Sequence, residues 1–306
     1  MKRIITLLTF IGLLCFNHVT LRSQDRPSYN QYNLYHPLIN PAAMGGFDQV
    51  NALLLFNYQL VGFDGAPMHF VGDVSLPLGK SNALLGIQAI HERMGVRNRT
   101  MGGASFAYRV KLNLKNYLSF GLSAMFQNLN INWTQIQNGD LNDPLIQNQN
   151  QQWWAPDFRL GTYYFSERVY AGFSVGNLFS IQGNGDLSTD INNIHFYLQG
   201  GLRIPVGQWE LLPSVLVKQV VGAPMQIDVN AQVMYNNVLG LGLSYRTLNQ
   251  LVAQVSVNIA QRFRIGYGFN MGMGFRNNTQ FTGHEVVLIY SGKKTKKNIG
   301  VSCPRF

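Results

Sequence analysis

The chain has 306 residues and a net charge of +10; 46% of it is hydrophobic and only 12% charged, with 31 Gly, 19 Phe and 14 Tyr. A soluble domain carries about 25% charged residues, so this composition argues against a soluble enzyme. Beyond the N-terminus no stretch reaches the roughly 18 uninterrupted apolar residues of a spanning helix, which argues against a helical membrane protein.

Lys2 and Arg3 precede an apolar run from Ile4 to Phe16, and Asn17 to Ser23 turns polar. That order is a secretory signal peptide over 1–23, with cleavage expected near Ser23. Leu14 is too bulky to make Cys15 a lipidation site. Cys303 is then the one mature cysteine, so neither an internal disulfide nor a cysteine metal site is available. Residues 24–48 are polar and aromatic, carry two prolines in PLINP, and show no period. They read as an irregular segment, either periplasmic or tucked into a barrel mouth as a small plug.

From Gln49 the pattern changes to alternation, in which successive side chains face opposite sides of a strand. Fourteen runs follow, at 50–59, 67–77, 83–92, 100–111, 116–128, 156–165, 168–177, 194–204, 208–219, 225–235, 237–246, 251–260, 262–271 and 284–291. In LGLGLSYR, for instance, Leu239, Leu241, Leu243 and Tyr245 alternate with Gly240, Gly242 and Ser244. A face of bulky apolar residues opposite a small or polar face is the pattern of a membrane barrel with a polar interior. The connections sort likewise. Short turns are expected at 78–82, 113–116, 166–167, 205–207, 236–237 and 261. Longer external loops are expected at 60–66, 93–99, 129–155, 177–193, 220–224, 247–250 and 272–283. Pro213 cannot donate to a ladder, so a local bulge is expected there. The fold class is therefore all-β: a transmembrane antiparallel up-and-down β-barrel of about 14 strands over 49–291. It has short periplasmic turns and long extracellular loops, and a basic periplasmic tail follows at 292–306.

The residues offer no catalytic constellation, no cofactor site and no metal site. There is no helical HExxH pair and no glycine-rich phosphate loop. Asp73, Arg109, Arg159, Arg203, Lys218, Asp228 and Arg264 fall on the inner face and are expected to line the lumen, pairing across strands. Two external loops share a Gly-Ala-Pro turn, LVGFDGAP at 60–67 and VGAP at 221–224. Gly62, Phe63, Asp64, Gly65, Pro67, Gly222 and Pro224 are accordingly candidate partner-binding positions. Trp153 and Trp154, at the end of the long loop, read either as a partner patch or as part of an interfacial girdle. The lysines of 293–297 read as a solvated tail, since an exported chain meets little nucleic acid.

Several stretches in order resemble one known family. They are YNLYHPLINPAAMGG (32–46), LVGFDGAP (60–67), LNDPL (141–145), YYFSERVYAGFSVGNL (163–178), LLPSVLVKQVVGAPMQIDVNAQ (211–232), LGLGLSYR (239–246), RIGYGFN (264–270) and GHEVVLIY (283–290). The chain resembles the PorP/SprF proteins of the type IX secretion system. That resemblance implies a barrel in the outer membrane of a Gram-negative bacterium. It implies outer-membrane lipid, other type IX secretion components and secreted cargo with a C-terminal sorting domain as partners, and a role in secretion or in surface anchoring of cargo such as gliding adhesins. The basic tail after Tyr290 departs from the usual family ending. The rival reading is a FadL-like or porin-type small-solute channel, with the irregular N-terminal segment as its hatch.

Overall fold

The structure is a computed structural model that describes residues 28–79, 81–133, 150–181, 187–188, 193–221, 223–247, 249–260, 262–272 and 282–293. The signal segment, the LNDPL stretch, Gly222, Gln261, Cys303 and the tail beyond Lys293 lie outside the described residues.

Fourteen antiparallel strands close into a barrel. They are β1 (Asn51–Tyr58), β2 (Met68–Pro77), β3 (Ala83–Met94), β4 (Arg97–Lys111), β5 (Tyr117–Ile131), β6 (Gln151–Phe165) and β7 (Val169–Gly176). The remainder are β8 (His195–Leu202, resuming at Ile204–Val206), β9 (Trp209–Val220), β10 (Gln226–Tyr235), β11 (Leu239–Arg246), β12 (Gln250–Ile259), β13 (Phe263–Gly272) and β14 (Thr282–Ser291). Each strand pairs with its neighbours in sequence, and β1 pairs with β14 from Asn51↔Ser291 to Tyr58↔His284, which removes both edges. A two-residue ladder, Ser180–Ile181 with Leu187–Ser188, sits in the connection after β7.

Alternation decides which side each residue takes. In β11 every second residue is buried and the others, Leu239 to Tyr245, are exposed. The exposed side is greasy all round, with Leu54 63%, Ile87 66% and Leu243 69% exposed. Only a hydrocarbon surround makes such a surface stable. Aromatic pairs mark its two borders. Trp209–Tyr235 and Phe263–Tyr290 lie at the end carrying the tight turns, and Phe56–Phe70 and Phe126–Trp154 lie toward the end carrying the longer loops.

Three expectations change. The loop expected at 93–99 is a two-residue turn, because Arg93↔Asn98 and Met94↔Arg97 continue the ladder and Gly95 supplies φ +56°. That connection is therefore shorter than the turn after it, so the loop-length sorting fails there. β5 and β6 pair out to Ile131↔Gln151, so Trp153 and Trp154 belong to a strand and not to a loop end. No bulge forms at Pro213: Gly201↔Ser214 and Ile204↔Leu211 keep one register, and the ladder is merely interrupted opposite the proline. Elsewhere, the three-residue turn 236–238 between β10 and β11 places Asn236 and Asn237 at φ +49° and +53°, and Val238 N donates to Tyr235 O at 2.8 Å to close it.

Residues 28–48 run inside the barrel. Three 3₁₀ turns (Tyr32–Leu34, His36–Leu38 and Pro41–Gly46) are buried throughout. The path starts at the loop end, where the Ser28 hydroxyl donates to Gln226, the first residue of β10. It ends at the turn end, where Arg109 reaches Gly45 and Asp48. Tyr32, Leu34, Tyr35, Leu38 and Ile39 form one core with inward residues such as Leu53, Leu55, Val71, Val287 and Ile289.

Candidate functional site

Among the described residues, the inner segment and the wall around it form the most elaborate polar arrangement. Proline and Asn-rich turns give this segment no regular ladder of its own, so its backbone groups find partners on the strands. The Asn30 and Gln31 amides donate to the Glu285 carboxylate of β14 at 2.9 and 2.7 Å, and Asn57 Nδ2 of β1 donates to the same group at 2.6 Å. Glu285 is fully buried. The Tyr35 hydroxyl donates to Asp73 of β2, which also accepts from Ser75 at 3.1 Å and Gln88 at 3.2 Å. Arg159 of β6 donates to Leu38 O at 3.2 Å, and Ser174 of β7 to Ile39 O at 3.0 Å. Asn40 Nδ2 donates to Thr162 O, while its Oδ1 caps the next turn at Ala42 N. Arg246 of β11 donates to Tyr29 O, Gln254 of β12 to Asn30 O, and Asn33 Nδ2 to Gln232 of β10. The segment is thus tied to most of the circumference.

Close approach requires missing side chains on both the wall and the segment. A Cβ on Gly121 would stand 2.3 Å from Ala42 N, and one on Gly45 would stand 2.1 Å from the Ser119 hydroxyl. Within the packed segment, His36 Nδ1 lies 2.7 Å from the Tyr163 hydroxyl.

The expected lumen residues divide into three groups. Asp73, Arg109 and Arg159 touch the inner segment directly, and Asp228 acts through its ion pair with Arg246 at 2.8 Å. Arg203 pairs with Glu210, and Arg264 donates to Asn258 at 2.6 Å; both sit at the turn end of the wall. Lys218 is buried among the residues around a small cavity of about 40 Å³ toward the loop end, which Leu38, Ile39, Ile90, Met101 and Tyr197 also line. Glu285, Arg246 and the buried pair Arg99–Glu92, 2.6 Å apart, were not singled out from sequence. The available signal was an ionisable residue at the inward phase of an otherwise apolar strand.

At the loop end, Val61 N donates to Thr282 O at 3.0 Å and Gly95 N to Gly65 O at 2.8 Å, so the loop 59–67 is lashed to two neighbouring connections. A Cβ on Gly65 would stand 2.9 Å from Gly95 Cα, and Gly62 and Gly65 hold φ +97° and +71°. Phe63, Asp64 and Gly65 are exposed. In both Gly-Ala-Pro turns the alanine is buried (Ala66 and Ala223), and Pro67 and Pro224 lead into β2 and β10. Trp154 is 60% exposed on the outward face and stacks on Phe126, whereas Trp153 takes the inward phase.

A closed, lipid-facing barrel with its lumen occupied by its own chain defines an outer-membrane β-barrel protein. Residues 21–290 match the family described as type IX secretion system membrane protein PorP/SprF, and the chain belongs to that family. No curated protein sequence matches the chain. Among solved structures, a deletion mutant of the TodX monoaromatic hydrocarbon channel is 11% identical with a TM-score of 0.48, covering 84% of this chain and 94% of that one. Omp33 of Acinetobacter baumannii is 7% identical with a TM-score of 0.46, covering 80% and 98%. The KdgM porin is 12% identical with a TM-score of 0.38, covering 79% and 99%.

Proposed function

We propose that this type IX secretion barrel supports export or surface anchoring of cargo proteins carrying a C-terminal sorting domain, gliding adhesins among them. It does so by protein recognition at its loop end, not by conducting solutes. The observation that carries this reading is the inner segment, which fills the lumen and is hydrogen-bonded around the wall. In this reading the segment is a plug. The rim loops, with Phe63 and Asp64 displayed on a glycine-shaped scaffold and Pro224 in the companion turn, are the docking surface for cargo or for other secretion components. Trp154 serves the lipid interface. Deleting the gene and profiling secreted and surface proteins tests the role: selective loss of sorting-domain cargo is expected, and an unchanged profile rejects it.

A second reading, the small-solute channel, rests on the cavity above Leu38 and Ile39 with the segment as its hatch. Planar-bilayer recording separates the two, because steady conductance by the intact chain favours the channel.

A further inference from the structure

The outward surface of β14 and of β1 to β4 carries a groove of about 500 Å³, lined by Leu54, Phe56, Phe70 and Leu288 and closed toward the loop end by His91 and Thr100. Gly72 and Ala89 also line it, side by side at outward positions, and Gly102 continues their row onto β4 beyond the lining. Neither glycine is required by the protein itself. A Cβ at Gly102 would meet nothing within 4 Å, and one at Gly72 only Leu54 at 3.8 Å. Neither has the positive φ that calls for glycine. Glycine weakens a strand interior and, where the ladder carries no bulge, often marks a site that a ligand or another backbone approaches closely.

What lies above the groove indicates what approaches. The next outward row is His91, Thr100 and Asn128, with His91 and Thr100 hydrogen-bonded at 2.9 Å. Above it stand Arg93, Asn98 and Asn130. These two rows hold a cation, amides and a hydroxyl, and no acid. Rows are about 6.6 Å apart along a strand, so Arg93 stands about 13 Å from the groove floor. Apolar trench, hydroxyl and amide shelf, then guanidinium is the order of acyl chain, sugar and phosphate in an outer-leaflet glycolipid.

We propose that this groove is a binding site for a phosphorylated glycolipid of the outer leaflet, with an acyl chain over Gly72–Ala89–Gly102 and a phosphate on Arg93. The proposal rests on the outer-membrane placement of the barrel. The test uses the full chain in phosphatidylethanolamine nanodiscs, titrated with bis-phosphorylated lipid A, phosphate-free lipid A or phosphatidylglycerol, with bound lipid read by native mass spectrometry. Wild type is expected to prefer bis-phosphorylated lipid A. Arg93→Ala should weaken that lipid about tenfold and leave the phosphate-free form unchanged. Gly102→Leu, whose Cβ meets nothing within 4 Å, should weaken both lipid A forms. Unchanged heat-modifiable mobility on gels shows that the variants are folded. Equal retention of phosphatidylglycerol and lipid A, or lipid A binding untouched by both variants, overturns the site. So does a second copy of the chain in place of lipid. A wild-type barrel that does not stay in the discs overturns the membrane placement itself.

Discussion

Glu285 governs the loop-end half of the inner segment, because three donors converge on one fully buried carboxylate. Glu285→Ala leaves two backbone amides and one side-chain amide without an acceptor. Hydrogen bonds to charged groups contribute about 1.5–3 kcal/mol each, and the variant is expected to lose about 3 kcal/mol of segment docking. Deuterium exchange at Asn30 and Gln31 checks this, with the strand amides unchanged.

Strands report what faces them on both sides. The sequence runs were expected to present a small or polar inner face, and β11 and β13 show it plainly. β1 and β14 do not, since Leu53, Leu55, Val287 and Ile289 point inward and are buried. The reason is the inner segment, whose Leu34, Tyr35, Leu38 and Ile39 pack on them. LLLF and VVLIY, apolar on both faces, already carried that signal in the sequence. Strand number and phase were legible because alternation is local. The path of residues 28–48 was not, because its contacts are long-range, such as Ser28 with Gln226, and its turns have no period. Trp153 and Trp154 were misplaced for a similar reason: Gln151 and Gln152 look like loop residues until Asn130 and Ile131 pair with them. At this scale the contact between β5 and the segment is decisive. Gly121→Val forces side-chain atoms into the Ala42 backbone, and overpacking of this kind costs about 1–3 kcal/mol. Faster proteolysis within 36–48 with an intact barrel is the expected result.

For the molecule as a whole, the inner segment decides whether a barrel of this size is a pore. A single-chain barrel interior is polar and water-filled unless something plugs it. Removing residues 30–46, or combining Glu285→Ala with Arg109→Ala where the deletion fails to assemble, should convert a silent barrel into a conducting one in planar bilayers. Equal, near-zero conductance in wild type and both variants would show that the segment is not the barrier.

The direction of that segment has its own consequence. It is joined covalently to β1 at the turn end, and its upstream end, Ser28, lies at the loop end against β10. The chain therefore passes through its own barrel like a thread through a bead. The wall has to close around the thread during assembly, or admit it afterwards from the periplasmic side. If the tight turns face the periplasm, Ser28 opens at the cell-surface mouth, while Ser291 stays at the opposite mouth. An epitope placed ahead of Ser28 should be stained by antibody on intact cells, and one placed after Lys293 only after the outer membrane is breached.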